Sequence, residues 1–269
     1  MKVAIFSDVH GNYTALEAVL KDIKKHEPDH LIFAGDLCTD GARPSACVKK
    51  LRSEALSPIY GNTDERVNNG PVLSRNRAGV ARRRTIEAKA ENDNDKWTWA
   101  QLDPADRTWL SALSFYRRVS PTQHPKDDLF VVHANPLDTE HHIFPSEERQ
   151  KELFGEVRQP DDDVTLKKLL GHINGGIVAF GHLHIPFIRQ WNDITLVNVS
   201  SVSLPLDGDQ RAKYALFTWD AEQGSWTIEH QYVAYDVDKE IEALRQIRPP
   251  NWENLITKLR VDSPVIATS

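Results

Sequence analysis

The chain has 269 residues, of which 40% are hydrophobic and 27% are charged, and its formal net charge is −6. The composition is ordinary for a soluble globular protein, and the length is sufficient for one large α/β domain or for a core domain with an insertion. The acidic charge argues against bulk, sequence-independent nucleic-acid binding. The apolar runs are too short to cross a bilayer, no targeting signal is evident, and two cysteines are too few for a disulfide framework, so we expect a cytoplasmic protein that does not bind membranes.

The first 70 residues alternate between predicted strands and helices. Residues 2–7 are predicted to form a buried parallel strand, because the four residues from Val3 to Phe6 are apolar without alternation. Residues 12–26 carry apolar side chains at helical spacing behind a candidate N-cap, Asn12. A strand, a helix and a strand follow at residues 31–34, 44–51 and 57–60. This βαβαβ pattern predicts a parallel sheet with right-handed crossovers.

Residues 70–120 interrupt this alternation, and we predict a mostly helical cap inserted beside the crevice of the sheet. Five arginines fall between residues 75 and 84. They could face an anionic substrate, although a solvated helix face is the simpler interpretation. Asp103 and Pro104 are residue types that commonly begin a helix.

From residue 129 onward the sheet is expected to resume, with a helix at 161–170 and a buried strand at 177–180. The pattern then changes to short strands joined by tight turns, which predicts a second, largely antiparallel sheet. These four strands are predicted at residues 186–191, 194–199, 214–219 and 226–234. Two further helices are predicted at 237–247 and 251–259.

Seven potential metal ligands follow apolar runs, nearly all of them where a predicted strand ends. They are Asp8, His10, Asp36, Asn62, His133, His182 and His184. Because the ends of neighbouring parallel strands meet in one crevice, such residues can share a metal pair. Carboxylates, an amide and imidazoles suit manganese, iron or zinc rather than copper(I) or an iron–sulfur cluster. Two divalent cations balanced by two carboxylates and a hydroxide would keep about one positive charge, which attracts phosphate oxygens.

The order of these residues resembles the motif series of the calcineurin-like metallophosphoesterase superfamily, which runs D-x-H, G-D, G-N-x-D/E, a lone His and G-H-x-H. Here the series reads Asp8-Val9-His10, Gly35-Asp36, Gly61-Asn62-Thr63-Asp64, His133 and Gly181-His182-Leu183-His184. Residues 198–202 are similar to the N-P-G-S-V segment of the small prokaryotic phosphodiesterase branch, which includes enzymes similar to diadenosine-polyphosphate hydrolases. The resemblance implies an α/β fold, a four-layer αββα sandwich of two mixed β-sheets flanked by helices. Residues 1–269 would form one domain, with the helical cap at 70–120 inside it.

The resemblance also implies roles for the ligands. One divalent ion would be held by Asp8, His10, Asp36 and His184. The other would be held by Asp36, Asn62, His133 and His182. Asp36 would bridge the ions, and a hydroxide between them would attack phosphorus in line, so Asp36, Asn62 and His133 are the predicted catalytic residues. Manganese is the favoured metal, with iron or zinc as alternatives.

One position departs from the family pattern. Many members have a His after the Asn, where it is thought to protonate the leaving group or bind phosphate, and this chain has Thr63. Thr cannot act as a general acid near pH 7, so we expect a preference for good leaving groups, such as phosphoanhydrides or activated diesters. Thr63, Arg66 and His141 are the candidate substrate-binding residues, and His141 could replace the missing acid.

We therefore predict a metal-dependent hydrolase of phosphodiester or nucleotide phosphoanhydride bonds, acting on a small phosphorylated substrate such as a nucleotide. Three alternatives stay open: a phosphomonoesterase of broad specificity, a non-catalytic protein-binding scaffold, and a nuclease. Scaffold relatives tend to lose ligands, whereas all seven are present in this chain. The acidic net charge speaks against a nuclease, and the sequence does not indicate the oligomeric state.

Overall fold

Two five-stranded sheets form the centre of the computed structural model, which describes residues 1–68, 88–160 and 163–260. The strands are β1 (Lys2–Phe6), β2 (His30–Phe33), β3 (Ser57–Pro58), β4 (Arg117–Val119), β5 (Leu129–Val131), β6 (Gly176–Phe180), β7 (Phe187–Trp191), β8 (Ile194–Asn198), β9 (Ala212–Asp220) and β10 (Ser225–Val233). The helices are α1 (Tyr13–Lys25), α2 (Pro44–Arg52), α3 (Asn62–Asn68), α4 (Ala88–Gln101), α5 (Pro104–Ser111), α6 (Glu147–Phe154), α7 (Asp163–Leu170), α8 (Val237–Ile247) and α9 (Trp252–Leu259). The five arginines between residues 75 and 84, and the first two residues of the helix predicted at 161–170, lie outside the described residues.

Both sheets are mixed. The first has the strand order β10-β9-β1-β2-β3, in which β1 pairs in parallel with β2 and antiparallel with β9. The second has the order β4-β5-β6-β8-β7, with parallel pairing of β6 to β5 and to β8, and antiparallel strands at both edges. The βαβαβ unit predicted at the start of the chain is confirmed, although β3 is only two residues long.

Two expectations about the later strands were wrong. The first sheet does not resume at residue 129, because β5 and β6 belong to the second sheet. The last four strands do not form a sheet of their own: β7 and β8 complete the second sheet, while β9 and β10 return to the first. The physical reason is visible in β9, whose first six residues are all buried, as in a strand covered on both faces. The local sequence marks a strand but does not identify its partner.

Alternate residues of the central strands face two different apolar layers. In β1, Val3 and Ile5 face the apolar layer shared by the two sheets, while Ala4 and Phe6 pack in the layer with α1 and α2. In the second sheet, β6 repeats this alternation, and its outward residues pack in a layer with α6 and α7. This arrangement is the predicted four-layer αββα sandwich.

The predicted first residues of two helices are confirmed by their capping contacts. Asn12 is the N-cap of α1, where its side-chain oxygen accepts from the Ala15 N–H at 2.9 Å. Asp103 caps α5, and Pro104 follows it at the first helical position. Helices α4 and α5 lie within the segment predicted to form a cap, and β4 from the same segment joins the second sheet. None of the helices in the described part of the chain is long and apolar enough to span a membrane.

Candidate metal centre

The predicted ligands meet at one edge of the sandwich. Six of them lie in the loops that follow β1, β2, β5 and β6, and Asn62 is the first residue of α3, which follows β3. Two groups of side chains each bring their ligand atoms within 4.8 Å of one another. One group is Asp8, His10 and His184, and the other is Asp36, His133 and His182. Each group combines residues that follow strands of the first sheet with residues that follow strands of the second. The two sheets therefore build the site jointly.

Asp36 lies between the two groups. Its Oδ2 atom is 3.8 Å from Nε2 of His10 in the first group and 3.5 Å from Nε2 of His133 in the second. The Asn62 side chain adjoins the second group, since one of its amide atoms lies 3.0 Å from His133 Nε2 and 3.0 Å from Asp36 Oδ2. All seven predicted ligands are therefore brought together.

Several ligand residues have an uncommon backbone conformation. Asp8, His10, Asp36, His182 and His184 all have positive φ angles, between 47° and 63°. L-residues adopt this left-handed region at a cost in energy, and such strain concentrates at functional sites. Backbone hydrogen bonds between the loops hold the conformation: the Asp8 N–H donates to the Gly35 carbonyl at 2.9 Å, and the His10 N–H donates to the Asp36 carbonyl at 3.1 Å.

Glycines permit the close approach of these loops. A Cβ atom on Gly61 would lie 2.1 Å from Oδ1 of Asp36, and a Cβ on Gly181 would lie 2.2 Å from Oδ2 of Asp8. Both distances are far below van der Waals contact, so any side chain at these positions would displace a ligand carboxylate. The glycines that precede Asn62 and His182 in the motifs are therefore required by space.

Three of the four imidazoles are oriented by backbone carbonyl groups. Nδ1 of His184 lies 2.7 Å from the Leu204 carbonyl oxygen, and Nδ1 of His133 lies 2.9 Å from that of Ala34. Donation from Nδ1 leaves the Nε2 lone pair free to bind a cation. For His182 the roles are reversed, because Nε2 lies 3.0 Å from the Glu140 carbonyl oxygen and Nδ1 is left as the ligand atom.

The ligands perturb each other's protonation. Burial opposes ionisation of Asp36, but the nearby imidazoles of His133 and His10 outweigh it and hold the pKa of this carboxyl well below its usual value. Burial also opposes protonation of His133, yet the Asp36 carboxylate raises the pKa of His133 to about 10. Burial, together with the charge on His133, lowers the pKa of His182 to about 3. Protons and divalent cations therefore compete for the same atoms.

The donor set fits a pair of divalent cations. Asp8 Oδ1 is buried and makes no hydrogen bond among the described residues, and Nε2 of His184 lies 3.1 Å from it. One amide atom of Asn62 faces the Asp36 carboxylate and Nε2 of His133. If this atom is the amide oxygen, three hydrogen-bond acceptors converge on one point. A cation between them would resolve this repulsion, whereas a flipped amide would turn its nitrogen inward. Carboxylate, amide and imidazole ligands suit manganese, iron or zinc.

Other residues support the ligands, and the sequence interpretation assigned them no role. Asp64 is fully buried and accepts from the backbone N–H groups of Asp36 at 2.8 Å and Leu37 at 2.9 Å, and from that of Gly61 at 3.1 Å. Burial and the Asp36 charge raise the pKa of Asp64 to about 6. The only indication of this role in the sequence is the position of Asp64 at the end of the G-N-x-D motif. A single sequence gave no reason to separate a supporting carboxylate from a ligand.

The segment after β8 supports the same loops from the other side. The Asn198 side-chain amide donates to the Gly181 carbonyl at 2.6 Å, and the Ser200 hydroxyl donates to that of His184 at 3.2 Å. The Ser201 hydroxyl donates to the carbonyl of Asp8 at 3.0 Å. Residues 198–202, noted earlier only for their resemblance to a family segment, thus hold the backbone of ligand-bearing loops.

The three candidate substrate-binding residues have different surroundings. The Thr63 N–H donates to Asp36 Oδ1 at 2.9 Å, and its hydroxyl is buried without a partner among the described residues. Arg66 borders the site, with Nη1 3.1 Å from the outer amide atom of Asn62. The exposed imidazole of His141 is directed at Asp138, 2.7 Å from its carboxylate.

Comparisons with known proteins match this architecture. Over 268 residues the chain is 27% identical to an uncharacterized protein from Methanocaldococcus jannaschii, covering 93% of this chain and 94% of the relative. The crystal structure of a metallophosphoesterase from Sphaerobacter thermophilus is similar with a TM-score of 0.70 at 21% identity, covering 97% of this chain and 99% of that one. A hypothetical protein from Pyrococcus horikoshii OT3 gives a TM-score of 0.72 at 16% identity, covering 98% and 99% of the two chains.

The two solved structures show that the fold is shared. The sequence profile of the calcineurin-like phosphoesterase superfamily domain matches residues 1–222, a range that contains every one of the seven converging ligands. On this match, the chain belongs to the calcineurin-like phosphoesterase superfamily.

Proposed function

We propose that the protein hydrolyses phosphodiester or nucleotide phosphoanhydride bonds with the help of two divalent cations. Members of its superfamily are generally hydrolases. The observation that carries the proposal is the position of Asp36, whose carboxylate lies within 4 Å of an imidazole in each of the two ligand groups. A carboxylate in this position can bridge two cations, which is the arrangement used for in-line displacement at phosphorus.

In this proposal, one cation would be held by Asp8, His10, Asp36 and His184, and the other would be held by Asp36, Asn62, His133 and His182. Such cations, preferably manganese, supply positive charge for the phosphoryl oxygens and lower the pKa of bound water. The carbonyl groups behind His133, His182 and His184 keep each imidazole in the tautomer that can bind a cation. Asp64 holds the Asp36 backbone in its left-handed conformation.

The substrate preference follows from position 63. The Thr63 hydroxyl is too weak an acid to protonate a leaving group near pH 7, and the residue is only 4% exposed. Substrates whose leaving group needs no protonation, such as phosphoanhydrides of small nucleotides and activated diesters, should therefore react faster than alkyl phosphates. Arg66 borders the second ligand group and is the proposed contact for a substrate phosphate.

The first test is the Asp36→Asn substitution, which keeps the shape of the side chain but removes the charge that both cations share. We expect hydrolysis of bis-p-nitrophenyl phosphate with manganese to fall roughly a thousandfold, because metal ions contribute several kcal/mol of transition-state stabilisation. Asp193→Asn serves as the matched control, because the Asp193 side chain is 75% exposed and pairs with Lys126 rather than with a ligand.

The same assay separates the proposal from its rivals. No hydrolysis by the parent protein with manganese, iron or zinc would favour a protein-binding scaffold. Faster turnover of p-nitrophenyl phosphate than of its diester would favour a broad phosphomonoesterase. Equal activity of Asp36→Asn and the parent would contradict the proposal outright.

A further inference from the structure

Helix α4 brings a buried polar side chain against the outer side of the metal centre. Asn94 is 6% exposed, although its neighbours Asp93 and Lys96 on the same helix have side chains that are about half exposed, 59% and 47%. The Asn94 side-chain nitrogen donates a short hydrogen bond to Oδ1 of Asp40, a residue in the loop after β2. The amide thereby fixes one oxygen of the Asp40 carboxylate and leaves the other free.

The free oxygen of Asp40 faces a metal ligand. Oδ2 of Asp40 lies 3.7 Å from Nδ1 of His10, whereas the other ring nitrogen, Nε2, faces the carboxylates of Asp8 and Asp36. His10 is the one imidazole of the four whose outer nitrogen has no hydrogen-bond partner among the described residues. Since metal-binding histidines nearly always donate their outer N–H to a carboxylate, a carbonyl or a water, Asp40 occupies the position of the missing partner.

The backbone holds Asp40 in this position. Asp40 has a φ angle of 63°, an unfavourable conformation for a non-glycine residue. Its neighbour Gly41 packs so closely on His10 that a Cβ atom would lie 2.1 Å from the His10 carbonyl oxygen. The Gly11 N–H donates to the Leu37 carbonyl at 2.8 Å, and the Arg43 N–H donates to that of Gly11 at 3.1 Å, so the loop encloses the His10 backbone.

We propose that Asp40 is the outer carboxylate that orients His10 for its cation, and that Asn94 of α4 is the positioning residue that holds Asp40 in place. Through the contacts of Asn94 with Asp40 and of Asp40 with His10, the affinity of one metal position would depend on α4, a helix in the segment between β3 and β4. This inference rests on the metal pair of the proposed function.

The test measures manganese binding by isothermal titration calorimetry at fixed pH. The parent protein should bind two ions. Asp40→Ala should weaken the ion held by Asp8, His10 and His184 by about tenfold to a hundredfold, the range for outer partners of metal ligands, and leave the other ion within twofold. Asn94→Ala should weaken the same ion by a smaller factor, and Asp40→Glu should recover part of the loss.

The ion can be identified by its spectrum. In cobalt-loaded protein, the visible absorption of the weakened position should change in Asp40→Ala and Asn94→Ala, because the spectrum reports ligand geometry. Asp93→Asn and Lys96→Ala, on the exposed face of the same helix, should leave both affinities and the spectrum unchanged. In a double-mutant cycle, Asn94→Ala should have no further effect when Asp40 is already Ala, because Asn94 acts through it.

Three results would overturn the inference. The first is that Asp40→Ala binds both manganese ions within twofold of the parent affinity. The second is that Asp40→Ala weakens both ions equally and lowers the melting temperature, and the third is that the effects of Asp40→Ala and Asn94→Ala on affinity are additive. Binding of fewer than two ions by the parent protein would instead contradict the metal pair itself. The failure of the inference and the failure of the proposed function are thus distinguishable.

Discussion

The conformation of single residues explains why the ligand motifs have their particular composition. Asp8 and His10 both have left-handed backbones, which Asp and His tolerate better than most residues because their side chains can hydrogen-bond locally. The glycines beside the ligands have a different role, since Gly61 and Gly181 leave space for the carboxylates of Asp36 and Asp8. The residue types in the motifs are therefore determined by backbone conformation and by close contacts between loops, as well as by the need for metal ligands.

Gly61→Ala tests the space requirement. The added methyl group would overlap Oδ1 of Asp36, so the carboxylate must move by about 1 Å, and a displacement of that size costs roughly 100-fold in turnover. Gly155→Ala is the control, because nothing lies within 4 Å of its Cβ position and its φ angle of 74° costs only about 1 kcal/mol of stability. Unchanged manganese affinity and turnover in Gly61→Ala would contradict this account of the motif.

The sequence predicted the identity of the ligands but not their supports. Asp8, His10 and the other five could be named because their residue types and order are unusual in combination. Asp64, Asn198 and Ser200 could not be assigned a role, because each acts on a backbone group that is distant in sequence or visible only in three dimensions. His141 illustrates the same limit: it was a candidate substrate-binding residue, and three dimensions are needed to see that its side chain is directed at Asp138.

At the scale of elements, position along the chain was predictable and pairing was not. Apolar spacing located α1 and a continuous apolar run located β6, each to within one residue, because α1 buries one face and β6 buries both. The partner of β9 depends on which strand edge is free after the rest of the sheet has formed, and no local pattern encodes that. The four late strands were therefore found to within one or two residues, but they were assigned to one sheet, whereas β7 and β8 belong to the second sheet and β9 and β10 to the first.

The cap of α8 provides a test at this scale, away from the ligands. The Asp236 side chain accepts from the Lys239 N–H at 2.9 Å and satisfies one of the free donors at the helix start. Asp236→Ala should lower the free energy of unfolding by about 1 kcal/mol in urea denaturation, while Asp236→Asn, which can still accept, should stay close to the parent. Equal losses in both variants would show that charge rather than capping matters.

For the whole molecule, the main feature is that the metal centre joins the two sheets. The first ligand group takes Asp8 and His10 from the loop after β1 and His184 from the loop after β6, and the second group is divided in the same way. The two sheets also pack against each other through the apolar layer that contains residues such as Ile5 and Val197. Cations bound at this edge would therefore link the two halves of the sandwich.

Metal removal should consequently lower the stability of the entire fold. A ligand at 100 times its dissociation constant stabilises the folded state by about 2.7 kcal/mol, which corresponds to a rise of roughly 5–10 °C in melting temperature for a chain of this size. Differential scanning calorimetry with manganese and with a chelator would measure the difference. The Asp36→Asn variant should show a smaller difference, and an identical melting temperature in both conditions for the parent would refute the link.

The position of β1 has a consequence for how the chain acquires its structure. This strand forms near the amino terminus, yet Ile5 pairs with Ala215, and β9 in turn depends on β10. During synthesis, one edge of the nascent first sheet must stay open until β9, more than 200 residues after β1, has left the ribosome. Such long-range pairing slows folding and exposes an unpaired strand to other nascent chains. The protein should therefore refold slowly from denaturant and give a higher soluble yield when translation proceeds at reduced temperature.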